Sequence, residues 1–549
     1  MQSLDWVTIG LYFGALLAVT WWTLLKPKTS ATGYFLAGKD VGWFAIGCSL
    51  FASNIGSEHL VGLAGAGAKS GVAMAHYELH AWCLLVLGWV MVPFYERSMV
   101  FTMPEFLERR YTPAARWFLS VISLVAYVFT KIAVGLAAGG VVFKALFPDN
   151  FIANVDNFWV GAIGVVLVTG VYTVLGGLRA VVYTEVIQTL VFIIGSMLLL
   201  VVGLWKLGGW NVLRETCGSE HFNLWKPLDH PSFPWLGMLV SAPIVGLWYW
   251  TTDQYIVQRT LAARNQTEAR RGTIFASYLK LLPLWIFIVP GMIAFALATK
   301  GMLGSSSAAL LKDPDQAFPI MVKEILPVGI RGLVAGGLLA ALMSSLASCF
   351  NSSATLFTMD IYKKLYPHAS EQTLVWVGRV ATVVMVALGL MWIPLMGRAK
   401  GLYVYLQSVQ TYLAPPIFAV FFLGVFFKRI NGKGCMVGLV GGFLLGMARL
   451  TLEIMKERGV LAQGTVLYQV AAFNYLYLGI VLFIIAVVAI VVTSLLTAPP
   501  REEQLVGLTY STVTAAQRAE TRASWNKWDV ITTAGVLALI LVMYAYFNG

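Results

Sequence analysis

GWFAIGCSLFASNIGSEHLVGLAGAGAKSG, residues 42–71, is apolar and long enough to cross a bilayer, yet its middle is wrong for an unbroken helix. Ser49, Ser53, Asn54, Gly56, Ser57, Glu58 and His59 put small, amide and ionisable groups at the depth of hydrocarbon. A charge at the bilayer centre costs roughly 2.5–3.5 kcal/mol on insertion scales, so such groups face a cavity and mark a ligand or ion path. Irregular backbone at that depth survives only when buried in protein or lining such a cavity. The stretch therefore reads as a discontinuous helix, whose half-helix ends and freed carbonyls can be turned toward a solute. The competing reading is a helix–helix contact rich in small residues.

Working outward, 58% of the 549 residues are hydrophobic and 12% charged. The mean hydropathy is +0.76. A soluble domain has roughly 45–50% apolar and about 25% charged residues, so the chain is a polytopic membrane protein, all α. The net charge of +12 would suit nucleic acid if it were gathered on one domain. It is instead scattered through short loops, which is the positive-inside pattern. Five cysteines, four of them in or beside apolar runs, give neither a disulfide framework nor a CxxC metal site.

About fourteen stretches approach the length that spans a bilayer. They are 5–25, 42–68, 74–94, 116–147, 158–175, 180–205, 234–254, 272–298, 329–361, 374–396, 401–427, 436–454, 471–496 and 529–547. The first is not a signal peptide, since it carries Asp5 ahead of its apolar run and Lys26 and Lys28 behind it. Basic residues such as Arg97, Arg109, Arg110, Arg179, Arg259, Arg264, Lys363 and Lys364 fall in alternate loops, which become cytoplasmic. Both termini then face outward. Segments 206–233 and 300–328 read as a partly ordered outer cap, and 498–527 as the longest cytoplasmic piece.

Four further places put polar groups into spans. In GLWYWTTDQ, 246–254, the aromatics Trp248, Tyr249 and Trp250 are followed by Asp253 before the helix can leave the membrane. Lys280 lies inside the next span, and Glu78 on span three is its natural counterpart. With His59 and Gln407 these make a donor and acceptor mixture suited to a neutral polyol. In ALMSSLASCFNSSAT, Ala341, Ser344 and Ser345 stand at i, i+3 and i+4, so a carbonyl and two hydroxyls can share one helix face. They can ligate a hard monovalent cation, or back-bond and glue helices together. Glu185, the fourth place, is either an interfacial acid paired with Arg179 or an ion or proton ligand. The second broken candidate, 234–254, follows the first by five spans, and an odd offset inverts topology, as an inverted repeat requires.

The runs SLFASNIGSEHLVGLAGAGAKSG, VYTVLGGLRAVVYTEVIQT, LWYWTTDQYIVQRTLAARN, MSSLASCFNSSATLFTMDIYKKL and YLQSVQTYLAPPIFAVFFLGVFFKR resemble the sodium/solute symporter family, in its sodium–glucose cotransporter branch. The resemblance implies a LeuT-like five-plus-five inverted repeat with broken first and sixth core helices, and alternating access driven by Na+. It divides the chain into an N-terminal helix and loop (1–41), two repeats (42–230 and 231–430) and additional C-terminal helices (431–549).

Asn54, His59, Glu78, Lys280 and Gln407 match the family's sugar-bonding positions. Tyr249, with Trp250 beside it, matches the aromatic that stacks on the sugar and closes the inner gate, and Leu63 and Tyr403 match the outer gate. Ala52, Ile55, Ala341, Ser344 and Ser345 match the sodium site. Two departures stand out. Relatives that bind a second ion resemble one another in having Asp where this chain has Glu185 and a hydroxyl where it has Ala347, although Ser348 remains. Gly246 and Ala81 replace polar residues of some relatives. The implied activity is import of a neutral hexose of glucose or galactose type with one sodium. Inositol or mannose transport and a sugar-gated sensor or channel are the alternatives. The expected partners are the sugar, sodium and the lipid bilayer, with no nucleic acid. No nucleophile–base pair, metal cluster or phosphate loop suggests an enzyme.

Overall fold

A computed structural model describes residues 2–25, 30–56, 58–147, 151–152, 154–396 and 402–549. Lys26, Lys28 and Ser57 lie outside the described residues, as do the side chains of Glu58 and Tyr403. Among the described residues helices dominate, and β pairing is confined to two isolated bridges.

Among the described residues eleven helices are long and apolar enough to cross a membrane, against the fourteen stretches counted in the sequence. The differences have local causes. Asn157–Leu207 runs as one 51-residue element over two predicted spans. It bends at Gly177, whose φ of +60° and ψ of −162° suit only glycine. The other two missing spans are the broken ones. Trp43–Asn54 ends at Ile55, where φ −81° and ψ 97° are extended, and the chain resumes as a wide turn, Glu58–Leu63, and then Ala64–Ser70. Trp235–Thr252 ends the same way at Asp253 (φ −79°, ψ 127°), before Gln254–Leu261.

The two broken helices are tied at one end by a parallel bridge in which Val41 donates to Ala262 (3.1 Å) and Arg264 donates to Val41 (3.3 Å). At the breaks themselves, the Tyr255 hydroxyl donates to the carbonyl of Ser53 and lies 3.4 Å from that of Ser345. Small residues do make helix contacts, but at the ends of the 42–71 stretch. A side chain at Gly47 would strike Phe275, and one at Gly67 would strike the backbone of Ile288. Both readings of that stretch therefore hold, in different parts of it: glycines glue the flanks and polar groups occupy the middle.

Both chain ends lie on one face of the molecule. Asp5 accepts from the amides of Gly329 (2.7 Å) and Gly332 (3.1 Å) and from Arg331 (2.7 Å), so it caps the Ile330–Thr355 helix. At the other terminus Phe547 accepts from Leu224, and Arg214 donates to Gly549, both at 3.0 Å. The C-terminus thus meets the 206–233 segment, and Asp5 meets the residues that follow 300–328. On the opposite face, 498–527 lies across the basic loops: Gln504 bonds Tyr111, Arg97 reaches Thr521 (3.1 Å), and Arg270 reaches Ser524 (2.6 Å).

Candidate functional site

The broken helices meet around a polar cavity of about 430 Å³, mouth included, lined in part by Asn54, His59, Tyr249, Trp250, Lys280 and Gln407. Six of the seven residues expected to bind solute thus share one chamber, although they come from segments more than 350 positions apart. Glu78, the seventh, stands behind it with no solvent exposure. One of its oxygens accepts from Lys280 Nζ at 2.6 Å and the other lies 3.5 Å from His59 Nε2. His59 Nε2 is 3.3 Å from Asn54 Nδ2, so acid, imidazole and carboxamide form a chain. Pairing removes the penalty of an isolated buried charge and fixes the lysine head at the cavity wall. The Lys280 ammonium also lies 5.6 Å from the centre of the Trp250 ring. Among the described residues no donor reaches the buried carbonyl oxygen of the Gln407 side chain, which can accept from a hydroxyl.

Tyr249 packs edge-on against Trp250, ring centres 5.0 Å apart. A second chamber of about 610 Å³, open space at its mouth included, adjoins the first and reaches Met103 and Pro104 on the face of the basic loops. Lys131 lines both chambers, its ammonium 4.8 Å over the Tyr249 ring and 5.4 Å from that of Tyr255. On the opposite side Leu63 is fully buried, and the Leu402–Phe426 helix packs on the Glu58–Leu63 turn.

Where the first helix breaks, the Ala52 carbonyl leaves the helical ladder and accepts from Ser344 Oγ at 3.1 Å, which also bonds the Ala341 carbonyl at 2.9 Å. Ser344 therefore back-bonds within its helix and bridges to the broken one. Ser345 follows it, buried, and Ile55 sits at the break. Among the described residues no three His, Cys, Asp or Glu side chains gather as a metal cluster. The oxygens here are carbonyls and hydroxyls, the donor type that suits a hard monovalent cation.

Glu185 and Ser348 are together, at 2.6 Å, and Ser49 and Ser53 also donate to the carboxylate. The basic partner is Arg259 rather than Arg179. Arg259 bonds Ser348, lies 3.5 Å from Glu185 and is fully buried, whereas Arg179 donates to the Ala37 carbonyl at 2.7 Å. Arg259 counted as a loop charge in the sequence because it follows the second broken helix. Lys131 went unremarked, although a lysine inside a span is itself a functional signal. Tyr255 carried no signal, since an aromatic near a helix start looks ordinary.

Two broken helices crossing at a polar cavity, beside freed carbonyls and hydroxyls, define a LeuT-type secondary transporter. The fold matches a sodium-coupled sialic acid symporter solved in a substrate-bound outward-open state, with a TM-score of 0.74 at 21% identity, over 91% of this chain and 98% of that one. Residues 34–442 match the model of the sodium:solute symporter family, to which the chain belongs. It is 39% identical to human sodium/myo-inositol cotransporter 2, over 92% of this chain and 79% of that protein. It is 37% identical to sheep sodium/glucose cotransporter 1, over 93% and 81%. The chain is thus a multi-pass membrane symporter with Na+ as its coupling ion, not an enzyme.

Proposed function

We propose that the solute is a neutral polyhydroxylated ring, a hexose of glucose or galactose type, imported with one sodium. The observation that carries this reading is the cavity of Asn54, His59, Tyr249, Trp250, Lys280 and Gln407. It offers amide, imidazole and ammonium groups around an aromatic wall. The Lys280 charge is already met by Glu78, and the Lys131 ammonium lies over the Tyr249 and Tyr255 rings, an arrangement that suits a neutral ring against the aromatic wall.

Sodium bridges the broken helix at Ala52 and Ile55 to the helix at Ala341, Ser344 and Ser345, and holds the arrangement in which the sugar site is formed. Sugar binds against Tyr249, and Leu63 and Tyr403 close over it. The inner barrier at Tyr249 then yields toward the second chamber, sodium leaves into low internal sodium, and sugar follows. One charge moving down the membrane potential supplies about 2.3 kcal/mol per 100 mV, and coupling is limited to the difference in sodium affinity between the two states. Repeats at 42–230 and 231–430, flanked by 1–41 and 431–549, supply the moving parts, with both termini extracytoplasmic.

The identity to sodium/myo-inositol cotransporter 2 favours myo-inositol as a second reading. Uptake of labelled glucose, galactose, mannose and myo-inositol into proteoliposomes tests both, with an inward sodium gradient or potassium in its place. Accumulation of one solute only with sodium names it. Binding without accumulation refutes coupling and leaves a sensor or channel.

A further inference from the structure

One buried side chain in the same chamber has no role in the scheme above. His80 lines the cavity and is 2% exposed, yet among the described residues neither of its ring nitrogens has a hydrogen-bond partner. A neutral imidazole carries one donor and one acceptor, and leaving both unmet in a buried site is costly. The neighbouring polar groups face elsewhere. Lys280 and Glu78 bond each other, Asn54 and His59 bond each other, and His76 is engaged by the Leu224 carbonyl (2.9 Å) and the Tyr544 hydroxyl (3.1 Å). The ring is steadied edge-on by Tyr77 and Trp82, with centres 6.2 and 6.5 Å away.

The backbone is irregular at this point. His76–Leu79 ends at His80, a turn follows, and Trp82–Val86 resumes, with Cys83 donating to the His80 carbonyl three residues back at 2.9 Å. Such tight turns in the middle of a helix mark functional positions. Beside His80 on the cavity wall stands Gly246. A Cβ there would lie 3.7 Å from His80 Cβ, 3.9 Å from His80 Nδ1 and 3.2 Å from Cys83 Sγ. The absent side chain at Gly246 therefore leaves space at the cavity wall beside the Nδ1 edge of the imidazole.

We propose that His80 is a specificity-determining residue whose ring nitrogens donate to and accept from hydroxyls of the bound polyol, in the space left by Gly246. This rests on the sugar reading above. A polyol with one hydroxyl at each nitrogen satisfies the ring, whether a pyranose or a cyclitol.

The test is sodium-driven uptake by the full chain in proteoliposomes, with the solute the wild type accumulates and its mono-deoxy analogues, each removing one hydroxyl. In the wild type, loss of the hydroxyl read by His80 should raise KM roughly 10-fold. His80→Phe should raise KM for the parent solute by a similar factor and become indifferent to that hydroxyl, while discrimination at the other positions and the sodium activation midpoint stay unchanged. Gly246→Ser places a hydroxyl beside the ring and should give the same selective indifference with His80 intact, which keeps the test alive should His80→Phe fail to reach the membrane. An unchanged pattern of discrimination in both variants means water satisfies the ring and overturns the proposal. An equal loss across all analogues marks a scaffold role and also overturns it. Failure of the wild type to accumulate any polyol on a sodium gradient overturns the sugar reading itself, a distinct outcome.

Discussion

Replacing Glu185 by Gln removes one charge from a fully buried cluster and little else. The amide oxygen still accepts from Ser348, which lies 2.6 Å from the native carboxylate, so most hydrogen bonds persist. Arg259 does not keep its compensation: it is 0% exposed, and Glu185 is the acid 3.5 Å away. Breaking one partner of a buried pair costs about 3–5 kcal/mol, because the survivor is an uncompensated charge in low dielectric. Arg259→Met leaves the carboxylate with serine donors from Ser49, Ser53 and Ser348 and should cost toward the lower end of that range. The double variant removes both charges and should recover about 2–3 kcal/mol relative to the sum of the singles. Denaturant unfolding of the purified protein, followed by tryptophan fluorescence, measures all three. Singles within about 0.5 kcal/mol of wild type, or a strictly additive double, would refute the pairing. Sodium activation of the wild type should give a Hill coefficient of one, since a guanidinium already serves the acid where a second ion is expected in relatives.

Ser344→Ala and Ser345→Ala should each weaken sodium activation of uptake by roughly 10-fold or more while leaving membrane insertion intact, because each removes one oxygen of the proposed sodium site; unchanged sodium midpoints would dismiss the assignment. Lys280→Ala strands Glu78 without its cation and should abolish uptake and lower stability by about 3 kcal/mol, with Glu78→Gln in the same chain restoring stability but not transport. Asp5→Asn should cost about 1–3 kcal/mol, since the carboxylate caps the Ile330–Thr355 helix and pairs with Arg331; an unfolding midpoint equal to wild type would contradict this. Outside the membrane, burial alone would raise the Glu108 carboxyl, but hydrogen bonds from Lys364 and Arg116, each at 2.6 Å, hold it below the usual carboxylate range. Its folded value is depressed, so its contribution is full above the ordinary carboxylate range and is lost as the pH falls through the folded value. Glu108→Gln should flatten the acid limb of the stability profile, and an unaltered limb would remove Glu108 from that role.

The residue chemistry of the two breaks was legible because hydrocarbon is an unforgiving solvent. Asn54, His59 and Asp253 inside apolar runs have few tolerable explanations, and the spacing of serines along 341–345 restricts what one helix face can offer. Likewise Glu78 and Lys280 could be matched as partners, each being the other's cheapest remedy for burial. Side-chain direction beyond the last turn of a helix was not legible. Arg259 reads as one more loop cation, and it turns inward to Glu185 only because the bend at Gly177 and the break at Asp253 bring two distant helices to one depth. The unmet nitrogens of His80 and the place of Lys131 over two tyrosine rings arise the same way, from what other segments fail or manage to supply. The strap 498–527 showed the sequence only its charges, and which loops it binds is fixed by the packed ends of helices it does not adjoin in the chain. Sequence thus determined which groups must escape the lipid, since that cost belongs to each residue alone. The tertiary structure decided where each escapes to, since a hydrogen-bond or ion-pair partner is a property of two segments and the distance between them.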